Sequence, residues 1–360
     1  MSNTQILQNP LASIDQPTPS SKDSISPELE RELRLYGGLL IQQAGILLKL
    51  PQIVMATAAT LFQRFYFVTS FNHFGIRDVS AGALFLAAKL EEKPARVRDI
   101  INVYDYLLQL ISWSRSRFRT QSGLKQDTMT SLNDLAKEAE ERIALNPLLP
   151  DEIKASMTRH LKLKQTLNCE GSNTETVMEE EGFMNLEERQ KIKLDLSQFE
   201  YEPMDYFASR FYDRKEEIVV AEMQILKRLG FHVQVQHPYS AMVNYLKVLN
   251  LTENSKVSQR AWSYLNDSLL TPLPALYPPT HLATLSIHLA IEDNQVILPD
   301  RWWELFDISD QSELDQMAEL LKSIYPLEGG DPIWFRVGGL PVTKDAMRQF
   351  LLDQQAKKPI

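Results

Sequence analysis

The residues able to do chemistry in this chain are few and scattered. Six histidines (His73, His160, His232, His237, His281 and His288) show no metal-ligand spacing. The one cysteine, Cys169, can build neither a disulfide framework nor a thiolate zinc module, and a reducing compartment fits. The sequence holds no GxxxxGK[ST] and no GxGxxG phosphate loop, and Gly329-Gly330 and Gly338-Gly339 follow no strand. No cofactor, no metal and no intrinsic catalysis are therefore expected. Arg115, Arg117 and Arg119 form a small basic spot, read as a solvated loop in preference to a phosphate or RNA contact. One lysine stands out. Lys89 closes an uncharged run, Ala81 to Ala88, within VSAGALFLAAKLEEKP (Val79–Pro94). A lysine at the mouth of a buried helix either snorkels to water or meets a partner.

That run is too short to span a bilayer and reads as a helix apolar all round, wrapped by other helices. Its small residues (Ala81, Gly82, Ala83, Ala87, Ala88) allow close neighbours, and Lys93-Pro94 is expected to end it. With 360 residues, 44% apolar and 24% charged, a packed core is expected. The net charge of −9 argues against a general grip on nucleic acid or anionic membrane, and no signal peptide or transmembrane run is found.

Helical periods supply the rest. Ser26-Pro27-Glu28 reads as cap, first turn and acidic start of a helix with stripe Leu29, Leu33, Tyr36, Leu40 and Leu47. Pro51 opens a second, with Val54, Ala58, Leu61, Phe62 and Phe65; the aromatic run Phe62 to Phe74 is read as core. The buried run is third. Val97, Ile100, Ile101, Tyr104, Leu107, Leu108 and Ile111 mark a fourth. Residues 112–203 are polar, with Pro147, Pro150 and the tract Glu179-Glu180-Glu181, and read as a largely disordered insertion in which Ser131 and Asp134 cap a short helix to Ile143. A fifth helix is expected from about Met204 to Leu229, stopped by Gly230, with Ile218, Val219, Ile225, Leu226 and Leu229 facing a core. Five more follow, marked by Met242 and Leu246, by Val257 and Leu265, by HLATLSIHLAIED (His281–Asp293), by Trp302, Trp303 and Phe306, and by Leu314, Met317 and Leu321. His281 and His288 are read as partly buried core histidines. Laying Leu86-Ala87 on Leu289-Ala290 gives a weak internal repeat that sets Glu292 where Lys89 stands. The segments are then 1–25 disordered tail, 26–111 four helices, 112–203 insertion, 204–236 fifth helix, 237–326 second repeat and 327–360 tail.

Two five-helix repeats with a buried third helix resemble the cyclin fold. LAAKLEE (Leu86–Glu92) resembles the cyclin-box third-helix signature, and AEMQILKRLGF (Ala221–Phe231) the fifth-helix signature. QQAGILLKLPQIVMATAATLFQRFYF (Gln42–Phe67), RVRDIINVYDYL (Arg96–Leu107), HPYSAMVNYLKVL (His237–Leu249) and AWSYLNDSLLT (Ala261–Thr271) are similar to the L-type cyclins. The implied fold is all-α, two cyclin boxes of five helices each, with the insertion between helices four and five of the first.

The resemblance implies a kinase-binding face: Lys89 and Glu222 side by side on helices three and five, with Leu90, Leu226 and Phe231 as apolar neighbours. It implies an activating subunit, without catalytic residues of its own, of a cyclin-dependent kinase in RNA polymerase II transcription and pre-mRNA processing. A PITSLRE-type kinase is the favoured partner in a nuclear heterodimer, with no direct nucleic-acid or membrane contact. The alternatives are a C-, K- or T-type cyclin with another kinase, or a cyclin-fold scaffold or initiation factor. Two features depart from the family. Where cell-cycle cyclins carry the substrate-docking MRAIL patch this chain reads Leu33-Arg34-Leu35-Tyr36-Gly37, and it has no arginine/serine-rich tail. Thr18-Pro19, Ser26-Pro27 and Thr271-Pro272 match proline-directed phosphorylation sites, dipeptides that also arise by chance.

Overall fold

The computed structural model describes residues 11–121, 198–325 and 337–356. The chain divides into two units, Met1–Arg115 with Leu196–Ile360, and Ser116–Asp195. Of the second unit only the end of one helix lies among the described residues. The tract Glu179-Glu180-Glu181, the Ser131/Asp134 cap and Cys169 lie outside them.

Every regular element described is helical. Helix α1 (Pro27–Leu47) begins as its sequence dictates. The Ser26 hydroxyl accepts from the Leu29 N–H at 3.2 Å, Pro27 takes the first turn, and Glu28 and Glu30 face the positive end. Leu33, Tyr36 and Leu40 are buried, but Leu47, assigned to the same stripe, is exposed in the last turn of the helix. Helix α2 (Gln52–Val68) is buried on nearly every side; Phe62, Phe65, Tyr66 and Phe71 form an edge-and-stack aromatic core. Helix α3 (Ile76–Leu90) packs against α1, α2 and α5 (Ser209–Arg228). Its run from Val79 to Ala88 is covered on nearly every side because it carries no charged face to give to water, and exposure begins at Lys89.

Helix α3 does not end at Pro94. It stops at Leu90, where Glu92 takes a left-handed φ of 54° and the Lys93 N–H reaches back to the Ala88 carbonyl at 2.8 Å. The same closure recurs with Lys49 after α1, Asn250 after α6 (Tyr239–Val248) and Gln295 after α8 (Pro279–Asp293). Only after α5 does a glycine, Gly230, open it. Helix α5 itself starts at Ser209 rather than near Met204.

Helix α4 (Val97–Gln121) continues well past Ile111, so the segment read as insertion from residue 112 begins as helix. Its other end is docked too: Phe199 and Tyr201 pack edge-on against Tyr106 of α4 at 5.6 and 5.4 Å. The second repeat follows the expected order: α6, α7 (Ser255–Ser268), α8, a 3-10 turn Trp302–Phe306, and α9 (Gln311–Lys322). Gln52 joins the repeats by donating to the Tyr239 hydroxyl at 3.1 Å and to Asn266 Oδ1 at 3.0 Å.

Of the segment 1–25 read as disordered, residues 1–10 lie outside the described residues. Residues 11–25 are not loose: Ile25 and Ser20 are buried, and the Ala12 N–H bonds the Ala275 carbonyl at 2.8 Å. In the C-terminal tail Val337 and Met347 are buried, and helix α10 (Lys344–Ala356) follows a Val342 carbonyl that accepts from the Arg77 N–H at 3.0 Å. Such segments are held by isolated buried side chains and a few hydrogen bonds, with no continuous apolar stripe for periodicity to reveal.

Candidate functional site

The site forms where α3 and α5 cross. A Cβ built on Gly82 of α3 would lie 2.7 Å from the Ala221 Cβ and 3.0 Å from the Glu222 nitrogen. Glycine opposite alanine thus brings the two backbones closer than any larger pair allows. Two turns further along α3, Lys89 Nζ meets Glu222 Oε1 at 2.7 Å. The ammonium also sits 3.9 Å from the centre of the Phe85 ring. The lysine side chain is 45% exposed and the carboxylate 13%. A pair this open contributes little to folding, about 0–1 kcal/mol. The ammonium is held in place and left accessible, while the carboxylate is largely covered.

Apolar surface surrounds the pair. Phe231 is 70% exposed and held outward at a φ of 61°. Leu90 is exposed at the end of α3, and Leu226 is half-buried with its carbonyl bonded to the Phe231 N–H at 2.9 Å. The structure therefore joins Lys89 to Glu222 and Leu226 to Phe231; Leu90 faces solvent beside Lys89. Sequence reading missed part of this surface. Val219, assigned to the core, is exposed, as are Tyr212 and Met223. Tyr212, Val219, Met223 and Leu226 follow spacings of seven, four and three, so they share one face of α5 bordering Glu222. That second period lies beside the buried one formed by Phe211, Ile218 and Ile225.

Next to the pair, Glu91 accepts from the Thr57 hydroxyl at 2.6 Å, and the same hydroxyl lies 2.8 Å from His237 Nε2. Burial lowers the His237 pKa below its usual value, and Glu91 opposes that shift only in part. His281 is paired with Glu313 at 2.9 Å, and His288 lies against Trp302 and Trp303, its pKa also lowered by burial. Arg115 and Arg117 lie on α4, not on a loop. At the position of the docking patch, Leu33 to Gly37 are all buried, with the Arg34 guanidinium bonded to Glu30 at 2.7 Å and to the Gln63 carbonyl at 3.0 Å. Among the described residues no cluster of three metal-ligating side chains occurs, and no helix is long and apolar enough to cross a membrane. What the α3/α5 crossing offers is a fixed ion pair beside exposed apolar side chains.

Residues 7–116 match the cyclin N-terminal domain. One chain of the crystal structure of the yeast RNA Pol II CTD kinase CTDK-1 complex superposes with a TM-score of 0.54 at 14% identity, over 98% of this chain and 84% of that one. Domain match and double helical repeat together define the class: this is a cyclin-fold protein with a cyclin N-terminal domain. Within that class the chain is similar to the L-type cyclins. It is 30% identical to Cyclin-L1 of Gallus gallus and 30% identical to Cyclin-L2 of Homo sapiens over 86% of its length, covering 42% and 43% of those proteins. It is 29% identical to Cyclin-L1-1 of Arabidopsis thaliana over 91% of its length, covering 58% of that protein. The chain thus spans about half the length of the curated relatives it matches.

Proposed function

We propose that this chain is the activating subunit of a cyclin-dependent kinase of the L-type class, working in RNA polymerase II transcription and pre-mRNA processing. The observation that carries the reading is the 2.7 Å Lys89–Glu222 pair, half-open and flanked by the exposed Leu90, Met223 and Phe231. Its partner is a kinase, the PITSLRE type favoured by the resemblance, in a nuclear heterodimer. The α3/α5 face takes the kinase C-helix and presses it inward. This completes the kinase's own Lys–Glu ion pair and orders its activation loop. The chain supplies no reacting group; it binds the active kinase conformation better than the inactive one and so shifts the population.

The test is co-purification of the tagged wild type and a Lys89→Ala, Glu222→Ala double variant, with bound kinases identified by mass spectrometry. The expected result is a PITSLRE-type kinase with the wild type and none with the variant. Each single substitution strands a charge against the kinase and is expected to cost about 2–5 kcal/mol of binding. Recovery of another transcriptional kinase moves the subclass and keeps the mechanism. No kinase with either form, both folded by circular dichroism, refutes the activator reading.

A further inference from the structure

Three Ser/Thr-Pro dipeptides in the described residues sit in three different environments. Thr271 is buried, its hydroxyl donating to the Ser268 carbonyl at 2.6 Å, so no kinase reaches it. Ser26 is exposed as the cap of the 21-residue α1, where added negative charge suits the helix end. Thr18 is different. It lies half-buried in extended backbone (φ −72°, ψ 153°) before Pro19, and its hydroxyl donates to Glu30 Oε2 at 2.6 Å. The other oxygen of Glu30 is committed to Arg34, which reaches it with Nε at 3.0 Å and Nη2 at 2.7 Å. Glu30 is 7% exposed and Arg34 2%. One hydroxyl hydrogen therefore satisfies the last open side of a buried carboxylate.

That bond is one of few fastening residues 11–25. The others include the Phe71 N–H donating to the Ser20 hydroxyl at 3.4 Å, the Ala12–Ala275 backbone bond, burial of Ile25, and Asp23 within 3.3 Å of His73. We propose that Thr18 is a phosphorylation site for a proline-directed kinase and that its phosphate unfastens residues 11–25 from α1. The reaction is an ordinary phosphoryl transfer from ATP. The Thr18 Oγ1–P bond forms, the bond from the γ-phosphorus to the ADP oxygen breaks, and the hydroxyl proton passes to the kinase's base. The product has no hydrogen to donate, so an acceptor replaces the donor opposite Glu30 Oε2. It also adds nearly two negative charges beside a carboxylate whose cation among the described residues, Arg34, is already engaged. Repulsion and the stranded carboxylate act together, and moving the segment away relieves both. This site is independent of the α3/α5 face and of its proposed partner.

The test uses the full chain carrying Ser26→Asn, which keeps the α1 cap and leaves Thr18 as the accessible site on this segment. It is treated with a purified proline-directed kinase and ATP, and the site is mapped by mass spectrometry. Phosphate at Thr18 is expected to speed tryptic cleavage after Lys22, and amide exchange at Asp23, Ser24 and Ile25, by about tenfold, with α3 amides unchanged. Thr18→Val, which loses the bond without adding charge, is expected to fall between the two states. Two results overturn the proposal. One is phosphate at Thr18 with cleavage and exchange unchanged or slower. The other is no modification of Thr18 in the intact chain when a peptide of residues 12–26 is modified.

Discussion

The third and fifth helices of each repeat build an ion pair at the same place, with opposite polarity. In the first repeat Lys89 of α3 meets Glu222 of α5 at 2.7 Å; in the second Glu292 of α8 meets Lys322 of α9 at 3.1 Å. The register that lays Leu86-Ala87 on Leu289-Ala290 also lays Gly82 on Leu285 and Phe85 on His288. Glycine lets α5 close onto α3, whereas Leu285 is a buried leucine and α9 meets α8 along a shorter stretch. The close approach buries most of the Glu222 carboxylate; Glu292 and Lys322 are both more than half exposed. Both third-helix ends thus carry a charge pair, and the two differ in polarity, in exposure and in one glycine.

Exchanging the charges, Lys89→Glu with Glu222→Lys, gives the first repeat the polarity of the second. The folded state is expected to keep its stability within about 1 kcal/mol, because the exchanged pair can reform at the surface. Kinase recovery is expected to fall by a factor of roughly thirty to several thousand, the equivalent of about 2–5 kcal/mol. Quantitative pull-down against thermal unfolding separates the two effects. Full recovery of kinase by the swapped protein would show that the face reads shape alone. Gly82→Leu, which copies the other helix, acts the opposite way. The new side chain has no room against Ala221, so a loss of about 1–3 kcal/mol in stability is expected, read by urea unfolding.

The contrast between the repeats was partly visible in the amino-acid sequence, and the boundary has physical causes. Both all-apolar third helices could be recognised because an uncharged run has one use in a packed domain. So could the reversed charge, because Glu292 falls on Lys89 when the runs are aligned. The proximity of Lys89 to Glu222 came from two family motifs, since residues 133 apart carry no spacing signal of their own. The closeness of α5 lay in Gly82, one small residue among several. Helix ends were harder. Lys49, Glu92, Asn250 and Gln295 take left-handed caps without the glycine that announces them. The outer face of α5 was misassigned at Val219 because two apolar periods run side by side and a hydropathy pattern does not say which faces water. The fastening of residues 11–25 was invisible because two hydroxyls, one backbone bond and one buried isoleucine hold them, and none of these makes a period.

The smallest effect expected sharpens the comparison most. Truncating the second repeat's pair, Glu292→Ala with Lys322→Ala, removes a bridge between two flexible, well-hydrated side chains. Its attraction is largely offset by solvent and by the freedom each side chain regains, so a stability change of only about 0.2–1 kcal/mol is expected. The same double truncation at Lys89 and Glu222 should change stability by a similar amount, since that lysine is also nearly half exposed. By unfolding, then, the two repeats should look alike. By kinase recovery they should not: the second-repeat variant is expected to bind as the wild type does, and the first-repeat variant to lose its partner. Equal loss of kinase from both variants would mean that the partner grips the two repeats symmetrically, and that the glycine and the charge order at α3 do not select the face.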